Sequence, residues 1–256
     1  MNRRQALFAF AAIPLTATAA RSDIPQPFKV SLISGGREGG VWQAGILVEL
    51  EPEWKTYWRM PGDSGIPPQF DWAGSENSAA IDVGFPVPRR FNDAAGETIG
   101  YHDRVVFPVF VKPEKLDAAV SLKLGMFFAV CKDVCIPAKA NAAAALSASA
   151  ANPLLDEWRK RLPRLVAAGD PPFVTAARFE TRENRPVLVV SLNGQAQDIF
   201  VESGTSAYFG KPQFGATGEA WLPIANLKDT LKLRGVPLKL TLSTGDSGIE
   251  QTLAIT

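Results

Sequence analysis

Cys131 and Cys135 are the only cysteines among the 256 residues. They stand four positions apart in Phe128-Ala-Val-Cys131-Lys-Asp-Val-Cys135-Ile-Pro137. Three chemistries suit such a pair. In an oxidising compartment the two sulfurs join each other, and the disulfide either exchanges with a partner's thiols or braces the chain. Reduced, the two thiolates could hold a soft metal, and Cu(I) with Met126 nearby is the version these residues favour. As a brace, a ring of about five residues contributes only about 2 kcal/mol in the loop-entropy model, little for a chain with a real core. Neighbouring charges pull both ways, since Lys132 favours a thiolate and Asp133 opposes it.

The pair needs an element to hold it. Val120 to Val130 alternates, with Val120, Leu122, Leu124, Met126, Phe128 and Val130 on one face, the pattern of a half-buried strand. Cys131 then starts a turn through Lys132, Asp133 and Val134, and Cys135 begins the returning strand. Such a hairpin places the two α-carbons roughly 5 to 6 Å apart, which suits a disulfide. Parity puts Cys131 on the less apolar face, where a partner is expected to reach it. Further β-like runs at Val41 to Leu50 and Arg104 to Val111 are separated by proline- and glycine-rich stretches at Pro61 to Pro68 and Pro86 to Gly96, read as loops.

From Ala138 to Ala151 the composition collapses to alanine and serine. Asn152-Pro153 then offers a helix cap and a first-turn proline, with Leu154, Leu155, Trp158, Leu162 and Leu165 at helical spacing, so a helix is expected from Pro153 to about Ala168, kinked or ended near Pro163. After Gly169-Asp170-Pro171-Pro172 the β pattern returns in Phe173 to Thr181, Val187 to Asn193, Asp198 to Ser203, Val236 to Ser243 and Ile249 to Ile255. The expected fold is all-β, two β-sandwiches joined by a short helical linker. The boundaries read as a signal peptide at 1–20, a first sandwich with the cysteine pair at 24–140, a linker and helix at 141–170, and a second sandwich at 171–256.

The leader rests on Asn2, Arg3 and Arg4, an apolar run from Ala6 to Leu15, and small residues from Thr16 to Ala20. The paired arginines fit twin-arginine export as well as the Sec route. Either ends outside the cytoplasm. No later stretch reaches about eighteen uninterrupted apolar residues, so the mature chain is expected to have no membrane span. Lys plus Arg (27) nearly balances Asp plus Glu (26), which leaves no basic field for nucleic acid. Gly62-Asp-Ser-Gly65 and Gly245-Asp-Ser-Gly248 read as turns rather than protease motifs, because His102 is the only histidine and a triad needs a paired base. Gly35-Gly36-Arg-Glu-Gly39-Gly40 precedes a strand and lacks the Lys-Ser/Thr of a phosphate loop, so it too reads as a turn. His102 reads as a strand-edge polar residue, and Trp42, Trp54, Trp58 and Trp72 as buried aromatics. No cofactor is called for.

Three segments together, Lys55-Thr-Tyr-Trp-Arg-Met-Pro-Gly-Asp-Ser-Gly65, Gly100-Tyr-His-Asp-Arg-Val-Val-Phe-Pro108 and Cys131 to Pro137 with its Cys-Ile-Pro ending, make the first domain resemble the amino-terminal periplasmic domain of the DsbD and ScsB family of thiol:disulfide interchange proteins. Glu202 to Pro212 and the Gly245 to Glu250 hairpin resemble the second domain of the ScsB branch. The resemblance implies immunoglobulin-like domains and a periplasmic pair that carries electrons between a membrane reductant and thioredoxin-like clients. By position, Cys135 matches the cysteine that attacks the client disulfide and Cys131 the one that resolves the mixed disulfide. In DsbD an aromatic cap loop shields the pair; the corresponding stretch is Arg89 to Gly96, with Phe91 as the possible cap. The cysteines here are closer together than in DsbD, and the electron donor is expected to be a separate polypeptide.

Overall fold

The computed structural model describes residues 26–62, 65–93, 96–166, 171–227 and 229–255. The signal peptide expected at 1–20 lies outside them. In the first sandwich one sheet runs in the order β1 (Phe28–Glu38), β2 (Val41–Leu50), β8 (Arg104–Lys112), β5 (Ala80–Val83). The facing sheet runs β10 (Cys135–Ala145), β9 (Ser121–Cys131), β3 (Lys55–Gly62), β7 (Gly96–His102), β6 (Arg89–Asp93), with β4 (Gln69–Asp71) also paired to β9. The alternation in β9 holds: Leu122, Leu124, Met126, Phe128 and Val130 are buried against Ile46, Val48, Trp58 and Phe107. Removing this apolar surface from water is the main stabilising term of the domain.

Two segments depart from the sequence reading. Arg89–Asp93, expected within a loop, is a strand paired to β7; Tyr101 donates to the Pro86 carbonyl at 2.7 Å and fixes the approach to it. The alanine-rich run, read as linker from residue 141, continues β10 to Ala145 opposite Ser121. Alanine has low β propensity, but pairing with the strongly apolar β9 decides the outcome.

Helix α1 (Pro153–Arg159) is shorter than its leucine spacing suggested. The Asn152 side chain caps it by accepting from the Leu155 backbone N–H at 3.2 Å. Leu155 and Trp158 pack into the first sandwich rather than bridging two bodies. A Cβ on Gly35 would stand 2.3 Å from the Leu155 side chain, so glycine there makes the docking possible. Past the helix, β11 (Arg164–Leu165) pairs parallel to β19 (Gly248–Ala254) and leaves Leu165 exposed, against the expectation of a continued helical stripe.

The second sandwich packs the sheet β11-β19-β18-β14, with β14 (Asp198–Glu202) and β18 (Pro237–Ser243), against β12 (Phe173–Arg182), β13 (Arg185–Asn193), β17 (Glu219–Ala225) and β15 (Tyr208–Phe209), with β16 (Gln213–Phe214) also on β17. Its core is separate, built on Leu188, Val190, Ile199, Phe209, Leu222, Leu240 and Leu242. Strand β17 was absent from the sequence reading. Its Pro223 lies where the outer neighbour changes from β16, paired at Ala220 and Trp221, to β15, paired at Ile224 and Ala225, so the missing N–H interrupts no continuous ladder.

Candidate active site

Cys131 ends β9 and Cys135 begins β10, so the two residues are directly opposed in the antiparallel ladder. They are disulfide-bonded with α-carbons 4.1 Å apart. That is closer than the hairpin estimate, in line with the close approach of directly opposed residues in an antiparallel ladder. Lys132, Asp133 and Val134 form the exposed tip.

The two cysteines have different surroundings. Cys135 is an exposed residue, whereas Cys131 is 0% exposed. This corrects the expectation that a partner reaches Cys131. Its face of β9 is not open: Tyr57 and Ala129 are buried beside it, and Ile66 packs over the three as a small apolar cluster on the outer side of the sheet. The segment carrying Ile66 crosses close above Tyr57, where a Cβ on Gly65 would lie 2.5 Å from the tyrosine ring. Gly65 has φ +135, a backbone state that favours glycine.

Across the sheet the register runs Cys135, Cys131, Lys55, His102. Lys55 is buried and its ammonium donates to Thr98 Oγ1 at 2.8 Å. Phe91, the suggested cap, pairs with Thr98 and lays its ring edge-on to His102 with centroids 4.3 Å apart. Its ring contact therefore falls two strands away from Cys131, and residues 94 and 95 at the tip of that hairpin lie outside the described set. Met126 is buried in the inner core, on the opposite face of β9 from Cys131, so the copper reading loses its third ligand. Lys132 is ion-paired to Glu53 at 2.5 Å. Hydrogen bonding to Glu53 holds the Lys132 ammonium above its ordinary range, and the same bond holds the Glu53 carboxyl below its own.

One contributor went unnoticed in the sequence. The Tyr57 hydroxyl lies 3.1 Å from Cys135 Sγ, and since a disulfide sulfur carries no proton, the hydroxyl donates. Tyr57 stands inside the Lys55 to Gly65 motif, but only the pairing of β3 with β9 brings it under the cysteines.

An immunoglobulin-like sandwich with an opposed cysteine pair at a hairpin tip, one cysteine exposed and the other buried, defines a thiol–disulfide class of domain. Residues 22–147 match the family model described as thiol:disulfide interchange protein DsbD, N-terminal. The first sandwich belongs to that family. A search of curated proteins found no match. Among solved structures, the N-terminal periplasmic domain of ScsB from Proteus mirabilis is similar, with 21% identity and a TM-score of 0.66, covering 88% of this chain and 91% of that one. At this identity the likeness concerns the fold, and it extends over both sandwiches.

Proposed function

We propose that the protein is a periplasmic thiol–disulfide exchange protein that passes electrons from a separate membrane reductant to thioredoxin-like clients through Cys131 and Cys135. The observation that carries this reading is the unequal exposure of the two cysteines, Cys135 exposed and Cys131 fully buried. In the reduced protein the Cys135 thiolate attacks a client disulfide, forming a mixed disulfide and expelling the client's other sulfur. Cys131, enclosed by Tyr57, Ala129 and Ile66, can reach no sulfur but Cys135. It attacks that atom and expels the client's second sulfur; the Cys131 proton goes to one client thiolate and solvent returns to the other the proton Cys135 had released, so the client leaves as a dithiol with two electrons gained. Val134 and Ile136, 70% and 40% exposed beside Cys135, offer a client an apolar rim. Export fits the leader at 1–20, and among the described residues no helix is long and apolar enough to cross a membrane.

Trapping tests this directly. Cys131→Ser is expected to accumulate a mixed disulfide with a thioredoxin-like protein in periplasmic extract, whereas Cys135→Ser accumulates none. Equal trapping by both variants would refute the assigned roles. A disulfide that withstands reduction at potentials below about −300 mV would mark a structural brace instead.

A further inference from the structure

We propose that Tyr57 is a catalytic residue of this exchange, its hydroxyl stabilising the Cys135 sulfur as a thiolate in the reduced protein. The inference rests on the exchange reading and adds a residue to it. The hydroxyl touches the reacting atom, at 3.1 Å from Cys135 Sγ. The ring is held rigidly: it is fully buried, its strand lies between β9 and β7, and Gly65 crosses directly against it. Of the nearby cations, Lys132 is paired to Glu53, and Lys55 donates to the neutral Thr98 hydroxyl.

A disulfide sulfur is a weak acceptor and a thiolate a strong one, so a donor fixed at this spot bonds the reduced state more tightly than the oxidised state. The phenolic proton stays on its oxygen throughout. When the Cys135 thiolate attacks the client, its charge passes into the new S–S bond and out to the leaving client sulfur, and the hydroxyl reverts to its weaker contact. When Cys131 closes the ring, the original disulfide contact returns. Tyr57 thereby does two things: it enlarges the fraction of reactive thiolate, and it favours the reduced protein over the disulfide.

Tyr57→Phe removes the oxygen and keeps the ring, so the melting temperature is expected to stay near that of the parent. The test is the rate of iodoacetamide labelling at Cys135 of the reduced full chain, mapped by mass spectrometry from about pH 5 to about pH 10. In Y57F the midpoint is expected to rise by about one pH unit, a tenfold loss of thiolate below it. Against a glutathione buffer above the midpoint, the equilibrium moves about tenfold toward the disulfide, equivalent to about 30 mV. Superimposable labelling profiles for Y57F and parent overturn the role of Tyr57, even with client exchange intact. A shifted profile in a protein that never forms a mixed disulfide with a thioredoxin-like client overturns the exchange reading and leaves the hydroxyl–thiolate bond standing.

Discussion

Strand β3 passes through two unlike environments within five residues. At Lys55–Tyr57 it floors the disulfide, where Cys131 is enclosed by apolar and small side chains and coverage is a matter of shape. At Trp58–Arg59 it meets the second sandwich, where Trp58 packs on Phe200. There the Arg59 guanidinium binds Glu202 at 2.7 Å and Glu250 at 2.5 Å. Strand β6 repeats the second pattern: Arg90 donates to Asp198 at 3.0 and 3.1 Å, to the Ile199 carbonyl at 3.2 Å, and to Glu97. Burial alone would pull the Arg90 guanidinium down, yet Asp198 and Glu97 hold it above its ordinary value. The contrast teaches that the two sandwiches are held by largely buried charges paired across them, whereas the redox end closes by packing, with the ammonium of Lys55 donating to Thr98 and that of Lys132 paired to Glu53.

The largest expected effect tests the charged end. Arg90 has a side chain only 4% exposed, and its partners Glu97 and Asp198 are 16% and 18% exposed, so Arg90→Ala leaves two carboxylates largely out of water without a cation. A loss of about 3 to 5 kcal/mol is expected in urea unfolding. Labelling of reduced Cys135 should stay within about twofold of the parent, since additivity holds for sites without shared partners. If R90A slowed that labelling as much as Y57F, the two ends of the sheet would not be independent and the contrast would fail.

A smaller effect is expected at the packed end. Gly65→Ala drives a methyl into the Tyr57 ring from a backbone with φ +135, an overpacking expected to cost about 1 to 3 kcal/mol. The segment bearing Ile66 should lift, and reduced Cys131, protected from alkylation in the parent, should become labelled under native conditions. A G65A protein with parental stability and an unlabelled Cys131 would mean that shape is not what closes this face.

How far the sequence reached follows the same division. Alternation in β9 made the strand and its buried face legible, and the spacing of Cys131 and Cys135 made the pair legible, because these are local properties. Long-range pairing was not. Tyr57 reaches Cys135 only through the β3–β9 register, and the covering of Cys131 depends on a segment that returns over the sheet after Gly65. The ion-pairing roles of Arg59 and Arg90 were not legible, since nothing near them in the chain announces Glu202, Glu250 or Asp198. The alanine run was misread as linker because composition carries no information about the apolar partner that holds Asn141–Ala145 in β10.

The smallest effect sharpens the comparison most, because Arg89 and Arg90 are adjacent and both pair with the second sandwich. Arg89 binds Asp246 at 2.9 Å, but with side chains 71% and 60% exposed. An exposed pair is screened by water and salt and contributes about 0 to 1 kcal/mol, so Arg89→Ala should cost no more than that and the cost should vanish in high salt. The hydrogen bond from Arg89 lowers the Asp246 carboxyl from its ordinary value, slight burial opposes this, and the charges of Arg161 and Arg89 add to it. A lowered folded value means the contribution is fully present above the ordinary carboxylate range and is lost as pH falls through the lowered one. Thermal melts of parent and R89A should therefore differ slightly at neutral pH in low salt and converge on acidification or on adding salt. A difference that persisted in molar salt would show that burial, and not the mere presence of an ion pair, had been wrongly credited with separating Arg89 from Arg90.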